Sequence, residues 1–528
     1  MFKLKTLSQV VAATVATSFL VGCGGGSSSS SGSASSDTTE VSGSVFASYV
    51  AGAELVVTDG VNKIAGPVIT DGKGNFKITL GNEQLKNNLF FVATGGSYTD
   101  EATGTEGVNS ERLAVYAAAN TLGGNPAISA TPSSSLIERL IVEYGLTEEA
   151  AKAAFEAAFG YQPDTAVTPV DATQDSTGAS EEAKLAGIRA AAFSQLLNNL
   201  GLDAGDHKAL LDALAEDLAN GVADGQGTSG AVQLKGASLH ADIANKISTA
   251  LFDFASDSDK NKTGLNTGKV GQIKFNNTAI SENYTYTLTP PEMGASEGKT
   301  TFKLTVTDSN GPVVGETPMM MPMMYMASGH MHSTPSTGCS MTDASGVAEC
   351  TVYFLMPSVM GNGDVMGNWD LMFSVGMGDN AESVHFFPKV MMAMGDDTVK
   401  LKLEGGAGDL DHVQDMMGND AGRKYYIFKE AVTGTAGNHT VQFFVATQDN
   451  MMSFPALNDD GTASGDLAGA VVSVYAENLA ATSKGDGIWE IANVGNLVDG
   501  QQVGLELKLA VNGEGKSVAT FNLTPKSM

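Results

Sequence analysis

Positive charge is scarce in this sequence: 30 lysines and arginines face 59 aspartates and glutamates, for a formal net charge of −29. Such a surface repels nucleic acid and anionic lipid headgroups over most of its area and attracts cations. Catalytic signatures are missing as well, with no Walker loop, no HExxH pair and no kinase set. The stretch Gly294 to Gly298 has the letters of a GxSxG elbow, but it follows Pro290-Pro291 and leads into a strand-like run instead of a helix. Asp396-Asp397 and Asp459-Asp460 read as solvated turn acids. Asp409 to Asp415 lacks the glycine and final glutamate of a calcium loop. The chain is therefore expected not to be an enzyme. Cysteine is scarce as well, at three in 528 residues, and two of these, Cys339 and Cys350, flank a turn containing Asp343, Ser345 and Gly346. They are expected to face each other on a hairpin as a disulfide, the rival arrangement being a pair of metal thiolates.

A transmembrane run is also lacking. Lys3 and Lys5 precede an apolar stretch, Val10 to Val21, that is too short to cross a bilayer. It leads into Leu20-Val21-Gly22-Cys23, which resembles a bacterial lipobox. The resemblance implies a lipoprotein signal peptide over 1–22, with Cys23 as the lipidated first residue holding the chain on a membrane. No acidic residue follows Cys23, so the outer membrane is expected, facing either the periplasm or the cell surface. Residues 23–40 form a Gly/Ser tether.

What remains divides by periodicity into a multidomain, mainly β chain with an inserted small helical bundle. Residues 41–125 carry short alternating runs, GAELVVTDG from Gly52 and GNFKITL from Gly74, with a turn over Thr70 to Asn75. This stretch resembles a carboxypeptidase regulatory-like or prealbumin-like β-sandwich, which implies a structural module. Residues 126–265 read as helices: a serine-capped run from about Pro132 to Gly145, a Thr147-capped run to Gly160, then Glu181 to Leu200, His207 to Asn220 and about Leu239 to Phe254. His207 and His240 are isolated and are expected at the surface or core edge. Residues 266–405 and 406–528 return to β, as two related Ig-like sandwiches. Leu371 to Lys389 aligns without gaps on Leu505 to Leu523, setting Leu371 on Leu505, Val375 on Leu509 and Phe387 on Phe521.

Against this background one stretch stands out. Pro318 to Pro335 reads PMMMPMMYMASGHMHSTP, and 18 of the 23 methionines lie between Met319 and Met417. Thioether sulfur is a soft donor that prefers Cu(I), imidazole suits copper in either state, and methionine needs no deprotonation and cannot be lost to a disulfide. Extended, the run would put Met319, Met321 and Met323 on one face and Met320, Met324 and Met326 on the other, with His330 and His332 sharing a face. In Trp369 to Val375, Trp369, Leu371, Phe373 and Val375 form an inward stripe, so Asp370, Met372 and Ser374 are expected outward. Three other uses of methionine compete: filling a core, presenting an adaptable docking patch, and trapping oxidants. The later copy carries Val511 at the Met377 position and Ala519 at the His385 position, which points away from a scaffold requirement.

The segment from about Thr300 to Pro388, with FKLTVTDSNGPVVG, PMMMPMM, TDASGVAECTVYF and GNWDLMFSV in that order, resembles the YtkA-like/FixH-like β-sandwich. That resemblance implies a non-catalytic envelope protein of a family with links to copper handling. The reading is a lipid-anchored protein that binds a soft ion, Cu(I), for buffering or delivery, with Met323, Met324, Met326, His330, Met331 and His332 as ligands and Met319, Met320 and Met321 as auxiliaries. The alternative is a non-enzymatic adhesion protein that docks an envelope partner through an apolar methionine patch.

Overall fold

The computed structural model describes residues 38–108, 112–124, 126–376, 378–406, 409, 411–414, 419–435, 437–463 and 465–525. The signal peptide, Cys23, the tether as far as residue 37, and Met377 lie outside the described residues. Strand accounts for 41% and helix for 17%, so the chain is mainly β. It divides into two compact units. One comprises residues 1–157, 162–171 and 201–239, and the other 158–161, 172–200 and 240–528.

In the first unit, a sheet of Asn75–Gly81, Thr38–Val45 and Ala127–Ala130 accompanies a four-stranded sheet of Lys63–Ile69, Glu54–Thr58, Leu89–Thr94 and Arg112–Ala117. Asn75–Gly81 alternates exposed and buried residues, and Phe76, Ile78 and Leu80 enter the core. The helices α1 (Pro132–Val142), α2 (Glu148–Phe159) and α4 (His207–Leu218) belong largely to this unit, while α3 (Glu181–Asn199) and α5 (Ile243–Ser256) fall in the other. The cap of α1 is Thr131 instead of a serine: its hydroxyl accepts from the Ser134 amide while the Ser134 hydroxyl accepts from the Thr131 amide. His207 is buried, not at a surface, and burial pushes its imidazolium down to about 4.

The second unit holds two sandwiches with separate cores. In the first, one sheet runs Thr278–Ile280, Thr285–Thr289, Gly298–Asp308, Val347–Phe354 and Ser336–Cys339. Its companion runs Met331–His332, Met319–Met326, Gly367–Val375 and Glu382–Phe386. Phe302, Leu304 and Val352 of the one sheet and Trp369, Leu371 and Phe373 of the other share one core.

In the second sandwich the sheets run Lys400–Glu404, Lys424–Thr435, Asn438–Thr447, Ile488–Val494 and Thr482–Gly485, and Leu479–Ala480, Val472–Ala476, Val503–Val511 and Ala519–Leu523. With the short strands beside these sheets set aside, both sandwiches follow one order. By sequence, strands one, two, three, seven and six form one sheet, and five, four, eight and nine form the other.

The ungapped alignment of the closing hairpins is one residue out in its second half. Leu371 pairs with Phe386, whereas Leu505 pairs with Phe521. Phe386, not Phe387, therefore holds the place of Phe521 in the sandwich core, and Phe387 joins the helices on the opposite side. The connections between the paired strands differ by one residue, and in a strand a shift of one exchanges the faces.

Cys339 and Cys350 form a disulfide as directly opposed residues of adjacent strands. The turn between them is closed by the Asp343 carboxylate, which accepts from the amides of Ser345 and Val347.

Candidate soft-metal site

The methionine-rich run is a strand with two different faces. Met320 and Met324 are buried in the sandwich core, whereas Met319 is 52% and Met321 45% exposed. Met323 is half-buried on the same side as Met321 and is thus parted from Met324 by the sheet itself. Met326 is half-buried at the core margin. The chain then turns, with the Met326 amide donating to the His330 carbonyl.

That turn separates the two histidines. His330 is exposed just before the short strand Met331–His332, Met331 is 48% exposed, and His332 is buried. The expected ligands therefore do not converge as one group. His332 and Met324, which are directly opposed on neighbouring strands, stay together on the inner face.

A residue not foreseen from the sequence completes the cluster. His332 Nε2 lies 3.3 Å from Met356 Sδ, and its Nδ1 lies 2.6 Å from the Ser333 carbonyl oxygen. A carbonyl oxygen only accepts, so Nδ1 carries the proton of that bond. Burial disfavours the doubly protonated ring and holds the His332 imidazolium below its ordinary value, against the opposing effect of the Ser333 bond. In the neutral ring the Nε2 lone pair then points at a thioether that has lone pairs of its own. Two electron-pair donors face each other, and Met324 stands beside them.

Trp369 braces this arrangement. It opposes Met324 on the next strand, its ring meets His332 edge-on at 5.6 Å, and its Nε1 donates to the Met356 carbonyl at 3.0 Å. Met356 is half-buried and leaves the cluster a margin toward solvent.

The outer face of the same sheet is covered, in contrast to the expectation from the alternation of Trp369 to Val375. Asp370 and Ser374 are buried and Met372 is half-buried. Helix α5 supplies the cover: Phe252 packs against the rings of Tyr325, His385 and Phe387, and the Asn245 side chain donates to the His385 carbonyl. His385 Nδ1 bonds both oxygens of Asp370, at 2.9 and 3.0 Å. Burial disfavours the charged imidazole, but the bond and the nearby charges of Asp370 and Asp253 outweigh it and raise the His385 pKa. Burial also raises the Asp370 carboxyl against the influence of His385. Among the described residues, no group of three or more His, Cys, Asp or Glu side chains is placed to hold a metal, so any site here depends on sulfur.

No family model matches this chain and no curated protein matches it. Solved structures give distant likenesses. One is an endo-fucoidan hydrolase of glycoside hydrolase family 107, 9% identical, with a TM-score of 0.13 over 47% of this chain. The chain spans 38% of that hydrolase. Another is a Ca2+-stabilised adhesin with which an Antarctic bacterium binds ice, 9% identical, with a TM-score of 0.12 over 93% of this chain and 99% of the adhesin. Likenesses this distant carry neither a fold nor an activity to this chain.

Proposed function

We propose that the chain is a lipid-anchored outer-membrane protein whose Ig-like, YtkA-like sandwich binds a soft monovalent ion, Cu(I), for buffering or delivery. The ligands are His332 Nε2, Met356 Sδ and Met324 Sδ. The observation that carries this reading is the 3.3 Å approach of an imidazole nitrogen to a thioether sulfur while the other ring nitrogen is tied to a carbonyl. An electron-pair acceptor between them relieves the opposition, and this donor set suits Cu(I). The lipobox-like Leu20 to Cys23 stretch supports the anchor, and the acidic surface supports cation capture. His330 and Met331 have no part in the site, and Met323 lies across the sheet from it.

The test is anaerobic titration of the full chain with Cu(I) against a competing chelator. His332→Ala and Met356→Leu are each expected to weaken one ion per chain at least tenfold, about 1.4 kcal/mol. Unchanged binding in both variants would overturn the reading.

A further inference from the structure

The outer face of the same sheet carries a second set of donors in a row. Met321 opposes Met372 on the neighbouring strand, and Met372 opposes His385 on the next. Directly opposed residues of antiparallel strands stand on one side of the sheet with their Cβ atoms about 5 Å apart. Leu371, Phe373, Val384 and Phe386 point into the core, so these three point away from it. A thioether, a second thioether and an imidazole therefore share one line across three strands.

The imidazole is also held in the manner of a metal ligand. Its Nδ1 is bound to the buried Asp370 carboxylate, which fixes the ring and makes Nε2 the ligating nitrogen. Helix α5 closes one side through Phe252, while Met321 remains open to water. A purely structural role explains this poorly. Removing a carboxylate from water offsets much of what its ion pair returns, and an exposed methionine adds no core.

We propose a second soft-metal site, with His385 Nε2, Met372 Sδ and Met321 Sδ as ligands and Asp370 as a positioning residue, taking a monovalent soft cation such as Ag(I) or Cu(I). It shares no residue with the His332 site and lies on the other side of the sheet. Its success or failure is therefore separate from that of the first.

Ag(I) alone, which undergoes no redox change, is the probe, and the full chain carrying His332→Ala and Met356→Leu is the background. That variant is expected to keep one tightly bound ion per chain under competition with free methionine. Adding His385→Ala is expected to abolish it. Met372→Leu with Met321→Leu, which conserves volume and keeps the fold, is expected to weaken it at least tenfold. Asp370→Asn is expected to weaken it 10- to 100-fold. With the His385 ring labelled, Ag(I) is expected to shift the Nε2 resonance, a change that a structural ion pair does not give. A background variant that binds no ion, or binding indifferent to both His385→Ala and the double leucine variant, would overturn the proposal. Loss of binding in His385→Ala with no change in the leucine variant would overturn the thioether assignment.

Discussion

Set side by side, the sandwich cored between residues 279 and 390 and the one cored between 403 and 523 share an order of nine strands, yet their fourth strands are built from different atoms. In the first, that strand is Met319–Met326 and sends Met320 and Met324 inward. In the second it is Val472–Ala476 and sends in Val472, Val474 and Ala476. Both cores close. The fold thus asks this strand for apolar volume on alternate residues and makes no demand for sulfur. The same holds for the sixth and seventh strands. Cys339 and Cys350 oppose each other in one sandwich, and Ser483 opposes Trp489 in the other. What sets the first sandwich apart is therefore chemistry laid over a shared frame.

The largest expected effect follows from breaking the disulfide. It closes a loop with a sequence separation of 11, for which chain-entropy reasoning gives about 2 to 3 kcal/mol. Cys339→Ser with Cys350→Ser is expected to lower the stability of the first sandwich by that amount and to leave the second unmoved. The chain's two tryptophans make this measurable, because Trp369 lies in one core and Trp489 in the other. Urea unfolding followed by fluorescence in a Trp489→Phe background reports the first sandwich, and in a Trp369→Phe background the second. Equal loss in both would mean that the two unfold as one body.

A smaller effect separates the two faces of the first sandwich by pH. Burial lowers the folded pKa of His332, so the unfolded chain takes up a proton first. The stability that the neutral ring contributes is present above about pH 6.5, the ordinary histidine value, and is lost as pH falls through that value toward the folded pKa. His385 has the opposite sign. Its folded pKa is raised, so its contribution is full below about pH 6.5 and is lost as pH rises through the folded value. His332→Gln is therefore expected to flatten the acid side of the stability profile and His385→Gln the neutral side, as read by urea midpoints from pH 5 to 8. Parallel profiles for both variants and the native chain would show that neither ring is coupled to folding.

The parts of this architecture that were legible in the sequence are those set by local period. Alternation gave the strand at Met319–Met326 and its two faces, the turn residues around Asp343 gave the disulfide hairpin, and the N-cap at Thr147 marked the start of α2. Several of the misreadings come from distance along the chain. Asp370 alternates outward from Trp369 and Leu371, but a helix more than a hundred residues earlier covers it. His332 meets Met356 across 24 residues and a change of sheet, and no spacing rule links them. A dense run of methionine and histidine marked the right strand and the wrong partners, because a turn at His330 gives neighbours in sequence opposite environments.

That last point yields the smallest expected effect. Met319 and Met331 are about half exposed, belong to the dense run, and lie outside both ligand sets proposed above. If density itself makes the site, replacing them removes donors; if placement makes it, nothing is lost. Met319→Gln with Met331→Gln is expected to change stability by no more than about 0.5 kcal/mol per substitution, as for surface positions generally, and to leave Cu(I) affinity within twofold of the native chain. Loss of one bound ion in this variant would return the exposed methionines to the ligand set. It would also mean that the side chains along the first sandwich's fourth strand rearrange when the ion arrives, something the fourth strand of the second sandwich, with Ser473 and Tyr475 between its inward valines and alanine, has no thioether or imidazole to do.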